Sequence, residues 1–137
     1  MNKILKVLLA VIGFVLLILI LASTYLIYFL PNVGSAPTLT VESSAERIER
    51  GKYLANHVTV CMDCHSTRDW TRFSAPLAGD LGAGGERFSN DMGFPGTIYS
   101  PNITPHNLNA WTDGEIFRTI TSGVNKDGKA MFSVMPY

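Results

Sequence analysis

Cys61-Met62-Asp63-Cys64-His65 holds the only two cysteines in the chain, and its reading decides what kind of core the rest of the sequence can build. Two thiols three positions apart, with a histidine directly after the second, form the C-x-x-C-H pattern of covalent c-type haem attachment. Each part has a chemical role. Thiols at this spacing form thioethers with the two vinyl groups on one porphyrin edge, and the histidine is then carried under the iron as an axial ligand. Three other chemistries use such cysteines. A Cys61–Cys64 disulfide closes so short a loop that it removes little chain entropy. A thioredoxin-like redox pair belongs beside a strand–helix unit, whereas here a helix is predicted to precede the motif. A structural zinc site takes four ligands, and only His57, His65 and His106 stand beside the single cysteine pair. Haem attachment is the reading retained.

Upstream of the motif, a helix is predicted over about 44–57. Ser43 and Glu46 have capping-box spacing, and Ala45, Ile48 and Ala55 give one apolar face. Gly51 interrupts that helix at a cost of about 1 kcal/mol relative to alanine, which a close helix crossing would explain. Residues 31–43, with two prolines and no helical period, read as a linker. Residues 1–30 read as a transmembrane anchor. Val7 through Leu30 carry no charge, and about 20 apolar residues suffice to cross a bilayer core. Lys3 and Lys6 precede the run, which by the positive-inside tendency keeps the N-terminus cytoplasmic and the rest periplasmic. The rival reading is a cleaved signal peptide, with Val33-Gly34-Ser35-Ala36 as its cleavage candidate. The run is longer than such an apolar region, however, and Tyr25 to Leu30 are bulky where small residues would stand. Tyr25 and Tyr28 suit an aromatic belt.

Beyond Pro31, nine Lys and Arg face eleven Asp and Glu, a net charge of −2. That balance gives no reason to expect nucleic acid as a partner. Residues 44–137 are expected to form one domain. In it, residues 75–101 are glycine-rich and irregular, a wrapping loop rather than a phosphate cradle, since no strand–helix context surrounds Gly82-Ala83-Gly84-Gly85. A second helix is predicted from Thr112, with Ile116, Phe117 and Ile120 as its apolar stripe and Gly123 as its end. Asn125-Lys126-Asp127-Gly128 is a turn. A sixth iron ligand is sought among Met92, Met131 and Met135, because Met62 lies inside the attachment loop. A methionine held extended by a following proline suits a ligand strap, which favours Met135 before Pro136. His57 or His106 would give the bis-histidine alternative.

Taken together, these segments resemble the class I cytochrome c superfamily. They are most similar to the monohaem modules of membrane-bound alcohol and aldehyde dehydrogenase cytochrome subunits. The likeness runs from about Ile48 to Tyr137. It is carried by Arg50-Gly51-Lys52-Tyr53-Leu54, the Cys61–His65 motif, Ser100-Pro101-Asn102-Ile103-Thr104-Pro105, Trp111-Thr112-Asp113 and Met135-Pro136-Tyr137. The resemblance implies an all-α, class I fold around one covalent haem c, with Cys61 and Cys64 as attachment points, His65 as proximal ligand and Met135 as distal ligand. It also implies a single-electron carrier rather than an enzyme. The redox partners would be a dehydrogenase, a quinol-oxidising complex or a terminal oxidase, at the bacterial cytoplasmic membrane. In such modules a C-terminal helix follows the Met-Pro-Tyr segment and packs across the first helix. Nothing follows Tyr137 here, so the sequence is expected to be a fragment of a longer reading frame, with weak stability.

Two other classes compete with the carrier. An enzyme, such as a peroxidase-like protein, needs an open iron site or a separate substrate pocket. About 105 soluble residues around a two-ligand haem leave little room for either. A haem sensor needs an output domain, and only a few residues precede the anchor.

Overall fold

The computed structural model describes residues 2–135; Met1, Pro136 and Tyr137 lie outside the described residues. The chain divides into two compact units, residues 1–39 together with 113–137, and residues 40–112.

In the first unit, α1 spans Lys3–Phe29, 27 residues, or about 40 Å at 1.5 Å per residue. None of its residues is buried, and it is apolar on every face. Such a helix is at home in lipid rather than water. Its length and composition are those of a membrane-crossing segment. Thr24 satisfies its hydroxyl on the Ile20 carbonyl at 2.8 Å, so this polar group adds no unpaired donor to the helix.

The α-helix of the same unit near the C-terminus, labelled α5 here, spans Asp113–Ser122, within a residue of the predicted limits. Asp113 and Glu115 occupy its first turn, where negative charge complements the helix dipole. Gly123, at φ 65°, ends it. The turn that follows is built around Asn125. Its Oδ1 accepts from the Asp127 and Lys129 amides at 3.0 and 2.9 Å, Gly128 takes φ 77°, and Val124 bridges Ala130. Arg118 is buried and donates to the carbonyls of Gly34, Asn125 and Lys126. One guanidinium thereby holds linker and turn against α5.

In the second unit, α2 spans Ala45–Tyr53 and continues as a single π-helical turn, Leu54–Val58. The cap is Ser44, one residue later than the capping box predicts: its Oγ accepts from the Arg47 amide at 3.2 Å. No α2 residue is buried. A Cβ on Gly51 would meet nothing within 4 Å. α3 is the single turn Cys61–Cys64. The glycine-rich stretch is more ordered than the sequence suggests. It contains an antiparallel pair, β1 Arg87–Phe88 and β2 Ile98–Tyr99, with Arg87 opposite Tyr99 and Phe88 opposite Ile98. Phe88 and Phe94 meet edge to face at 5.5 Å between centroids. α4, Pro105–Leu108, closes the unit with proline in its first turn. Helices therefore dominate, as expected, with this one short β pair added among the described residues.

Two glycines should respond in opposite directions. A Cβ on Gly114 would lie on the Pro37 carbonyl, so Gly114→Ala is expected to lower unfolding free energy by about 1–3 kcal/mol through overpacking. Gly51 is helical and faces open space, so Gly51→Ala is expected to raise it by about 0.5–1 kcal/mol. Denaturant midpoints of the full chain at constant m-value check both signs.

Candidate functional site

The chain enters the cysteine motif through a strained residue. Val60 sits at φ 47°, ψ 34°, a left-handed conformation that a β-branched residue adopts only when its surroundings impose it. Thr59 supplies part of that constraint. Its amide and hydroxyl both reach back to the Leu54 carbonyl, at 2.9 and 3.0 Å, and its hydroxyl lies 3.1 Å from Cys61 Sγ. The backbone then turns once: Asp63 N–H donates to Val60 O at 3.0 Å and His65 N–H to Cys61 O at 2.9 Å. Helical spacing of three places Cys61 and Cys64 on one side of that turn. Both thiols are free, Cys61 half-buried and Cys64 exposed.

His65 is fixed from a distance. Its Nδ1 lies 2.8 Å from the carbonyl oxygen of Pro101, 36 residues further along. A carbonyl can only accept, so the hydrogen bond assigns the proton to Nδ1. In the neutral ring the lone pair then belongs to Nε2. The acceptor segment is itself held rigidly. Asn102 Oδ1 accepts from the amide and hydroxyl of Thr104 at 2.8 and 2.7 Å, and Asn107 Nδ2 donates to Asn102 O at 2.9 Å. A histidine oriented through one nitrogen and available at the other is the arrangement found in metal-ligating imidazoles.

The surrounding side chains support the motif without competing for its donor atoms. Arg68 pairs with Asp63 at 2.8 Å and donates to the carbonyls of Asp63 and Ala75. Glu86 is buried and accepts from the Arg68 amide at 2.9 Å and from Trp70 Nε1 at 2.7 Å. Met62 Sδ would be 3.4 Å from a Cβ on Gly82, so it packs against the glycine loop. A cleft of about 390 Å³ in this unit is lined by Arg68, Trp70, Glu86, Asp91 and Met92 among others, but not by Cys61, Cys64 or His65. Thioether formation takes place at accessible thiols, so the motif rather than the cleft is the candidate site.

The donor set fits a haem better than its rivals. No group of three or more His, Cys, Asp or Glu able to hold a metal ion occurs among the described residues, which leaves the zinc reading without support. Ala75 is the only buried apolar side chain of this unit among the described residues, while Val58, Val60 and Leu81 remain about half exposed. Cys61, Cys64 and His65 are the residues that would hold a haem, and a flat apolar macrocycle there would offer such side chains a surface to bury. Of the remaining candidates for an axial ligand, His57 is exposed against the Tyr53 ring, 5.6 Å between centroids, and His106 is exposed on α4. Met92 is 47 % exposed. Met131 and Met135 are half-buried and belong to the other unit. The sequence reading singled out Cys61, Cys64 and His65 but not the Pro101 acceptor. The proline-flanked Asn102-Ile103-Thr104 run was its only local signal.

No protein-family model matches the chain. It is similar to the fructose dehydrogenase cytochrome subunit of Gluconobacter japonicus, 36 % identical over 112 residues that make up 77 % of this chain and 20 % of that protein. The alcohol dehydrogenase (quinone) cytochrome c subunit of Gluconacetobacter polyoxogenes is 30 % identical over 107 residues, 76 % of this chain and 20 % of that one. The gluconate 2-dehydrogenase cytochrome c subunit of Pantoea cypripedii is 34 % identical over 94 residues, 66 % and 18 % of the two chains. The chain spans about a fifth of the length of each relative it matches. Its resemblance is therefore to one stretch of a dehydrogenase cytochrome c subunit.

Removing the Asn102 side chain strands the Thr104 amide and hydroxyl. Asn102→Ala is expected to cost about 1–3 kcal/mol and to speed solvent exchange of the His65 Nδ1 proton, read by proton NMR of the imidazole.

Proposed function

We propose that this relative of the dehydrogenase cytochrome c subunits is a membrane-anchored, single-haem c-type cytochrome that transfers single electrons on the periplasmic side of the bacterial cytoplasmic membrane. The observation that carries the reading is the His65–Pro101 hydrogen bond directly after the Cys61–Cys64 turn. It leaves one imidazole nitrogen committed and the other free to ligate, beside two free thiols at thioether spacing.

In this reading Cys61 and Cys64 hold the macrocycle covalently and His65 Nε2 is the proximal ligand. Pro101 keeps the Nδ1 proton in place so that Nε2 presents its lone pair. Met135 is the distal ligand, from the Met-Pro-Tyr segment whose last two residues lie outside the described structure. When bound, haem c supplies a one-electron couple, and His/Met ligation places its potential high enough for a respiratory carrier. The domain of residues 44–137 adopts the class I cytochrome c fold. α1 tethers it, with Lys3 and Lys6 on the cytoplasmic side. The donor is a dehydrogenase or quinol-oxidising partner, and the acceptor is a downstream component of the respiratory chain.

Co-expression with a c-haem maturation system should yield membranes in which haem stays with the chain through denaturing electrophoresis. Cys61→Ser with Cys64→Ser should abolish that retention. Haem-free wild-type chain would overturn the proposal. Met135→Ala should retain the haem, lose the long-wavelength sulfur-to-iron band of the oxidised spectrum, lower the potential and open the ferrous iron to carbon monoxide. An unchanged oxidised spectrum would move the distal ligand elsewhere.

A further inference from the structure

We infer that Gly84 is a positioning residue for the His65 imidazole, setting the strength of its hydrogen bond to Pro101 and through it the redox balance of the bound haem. The inference rests on the haem reading above. Gly84 stands between the two segments that must meet at His65. Its amide donates to the His65 carbonyl at 2.7 Å. Its other side lies against the backbone of residues 100–102. A Cβ there would come within 2.6 Å of the Pro101 carbonyl carbon, 2.6 Å of Ser100 O and 2.7 Å of Asn102 N. All three are backbone atoms, so no side chain can swing aside. Gly84 also takes φ +76°, a conformation that disfavours any side chain.

These contacts form a closed circuit. The His65 main chain is bonded to Gly84, Gly84 is pressed on the Pro101 peptide, and the Pro101 carbonyl returns to the His65 ring at 2.8 Å. The same strands are stitched on either side by Gly85 N–H to Ser100 O at 2.9 Å and Ile103 N–H to Gly82 O at 2.8 Å. Gly82 is in turn held by the fully buried Ser66, whose Oγ accepts from its amide at 3.0 Å. The separation between the His65 backbone and the Pro101 carbonyl is therefore the thickness of one glycine. Adding a Cβ must push residues 100–102 outward. His65 cannot follow, because its amide is bound into the cysteine turn on Cys61 O at 2.9 Å. The Nδ1–H···O bond lengthens. A strong bond at Nδ1 makes the imidazole a better donor at Nε2, which favours the oxidised iron, so loosening it favours the reduced form.

The test compares Gly84→Ala with Gly85→Ala in the haem-loaded full chain. Gly85 is the matched control: its φ is +88°, yet its Cβ would meet only Thr67 Cγ2, at 3.4 Å. At a fixed solution potential, Gly84→Ala should raise the reduced-to-oxidised ratio about two- to tenfold, the size of one hydrogen bond. The His65 Nδ1 proton resonance should move upfield. Gly85→Ala should leave both near wild type. Equal shifts in the two variants, or no shift in Gly84→Ala, would overturn the assignment. If Gly84→Ala fails to mature, hydrogen exchange on the wild-type chain decides. The Gly84 amide and the His65 Nδ1 proton should exchange through one shared opening, and independent exchange sinks the idea. Haem-free wild-type chain would refute the haem reading instead, and the exchange measurement distinguishes the two.

Discussion

A histidine can ligate a metal only through a ring nitrogen whose lone pair is aimed at it, and a free imidazole fixes neither which nitrogen that is nor where it points. Two rotatable bonds let the ring wander, and two tautomers divide the lone pair between its nitrogens. The Pro101 carbonyl answers both problems with one contact. It accepts from Nδ1, which selects the tautomer, and it does so from a fixed point, which orients the ring. Much of the ordered structure between residues 66 and 104 can be understood as the framework that keeps this acceptor at 2.8 Å. The β1–β2 pair, the glycine loop and the Asn102 turn each fix one side of the 100–104 segment. A motif written in five residues thus depends on a partner 36 positions away.

The interior of that framework is unusual in being largely polar. Ser66, Glu86 and Ser89 are buried, and each is hydrogen-bonded: Ser66 to the Gly82 amide, Glu86 to the Arg68 amide and the Trp70 indole, Ser89 to Asp91. Satisfied polar groups of this kind specify a conformation but contribute about 1 kcal/mol each to stability. The larger contribution in domains of this size comes from apolar burial, which the described side chains of this unit supply sparingly. Covalent haem has the matching properties. It would bring apolar area, and the proposed attachment at Cys61 and Cys64 would remove the entropy of holding it. Buried hydrogen bonds that fix geometry, together with a cofactor that supplies apolar mass, make a consistent division of labour.

How legible this was in the sequence depended on how local each feature is. The Cys61–His65 motif stands out because covalent haem attachment, the chemistry proposed for it, demands fixed spacing. α1 declares itself by its long uncharged apolar run, and α5 and the Asn125–Gly128 turn because apolar periodicity and turn residues act within a few positions. Features decided by tertiary contact were displaced or missed. The α2 cap fell on Ser44 rather than Ser43, since two adjacent serines offer the same oxygen and the helix register chooses between them. The π-helical turn at Leu54–Val58 has no periodic signature of its own, and its partner Thr59 appears only once the strained Val60 is seen. The short β pair lay hidden because two-residue strands are too brief to show alternation. The glycine-rich run reads as a wrapping loop, whereas in this unit Gly84 is a point of close backbone approach.

The comparison with longer relatives bears on which conclusions travel. A chain matching about a fifth of a dehydrogenase cytochrome c subunit cannot inherit that protein's assembly or its exchange partners by similarity alone, because those belong to surfaces outside the shared stretch. Haem attachment is different in kind. Its requirements are two thiols on one side of a helical turn, a histidine after them and an acceptor for the histidine's second nitrogen, and all four lie within residues 61–101. For the same reason the constraint on residues 82–104 is as strict as that on the cysteines. Gly84 and Asn102 carry none of the proposed donor atoms, yet both hold the segment whose Pro101 carbonyl orients His65.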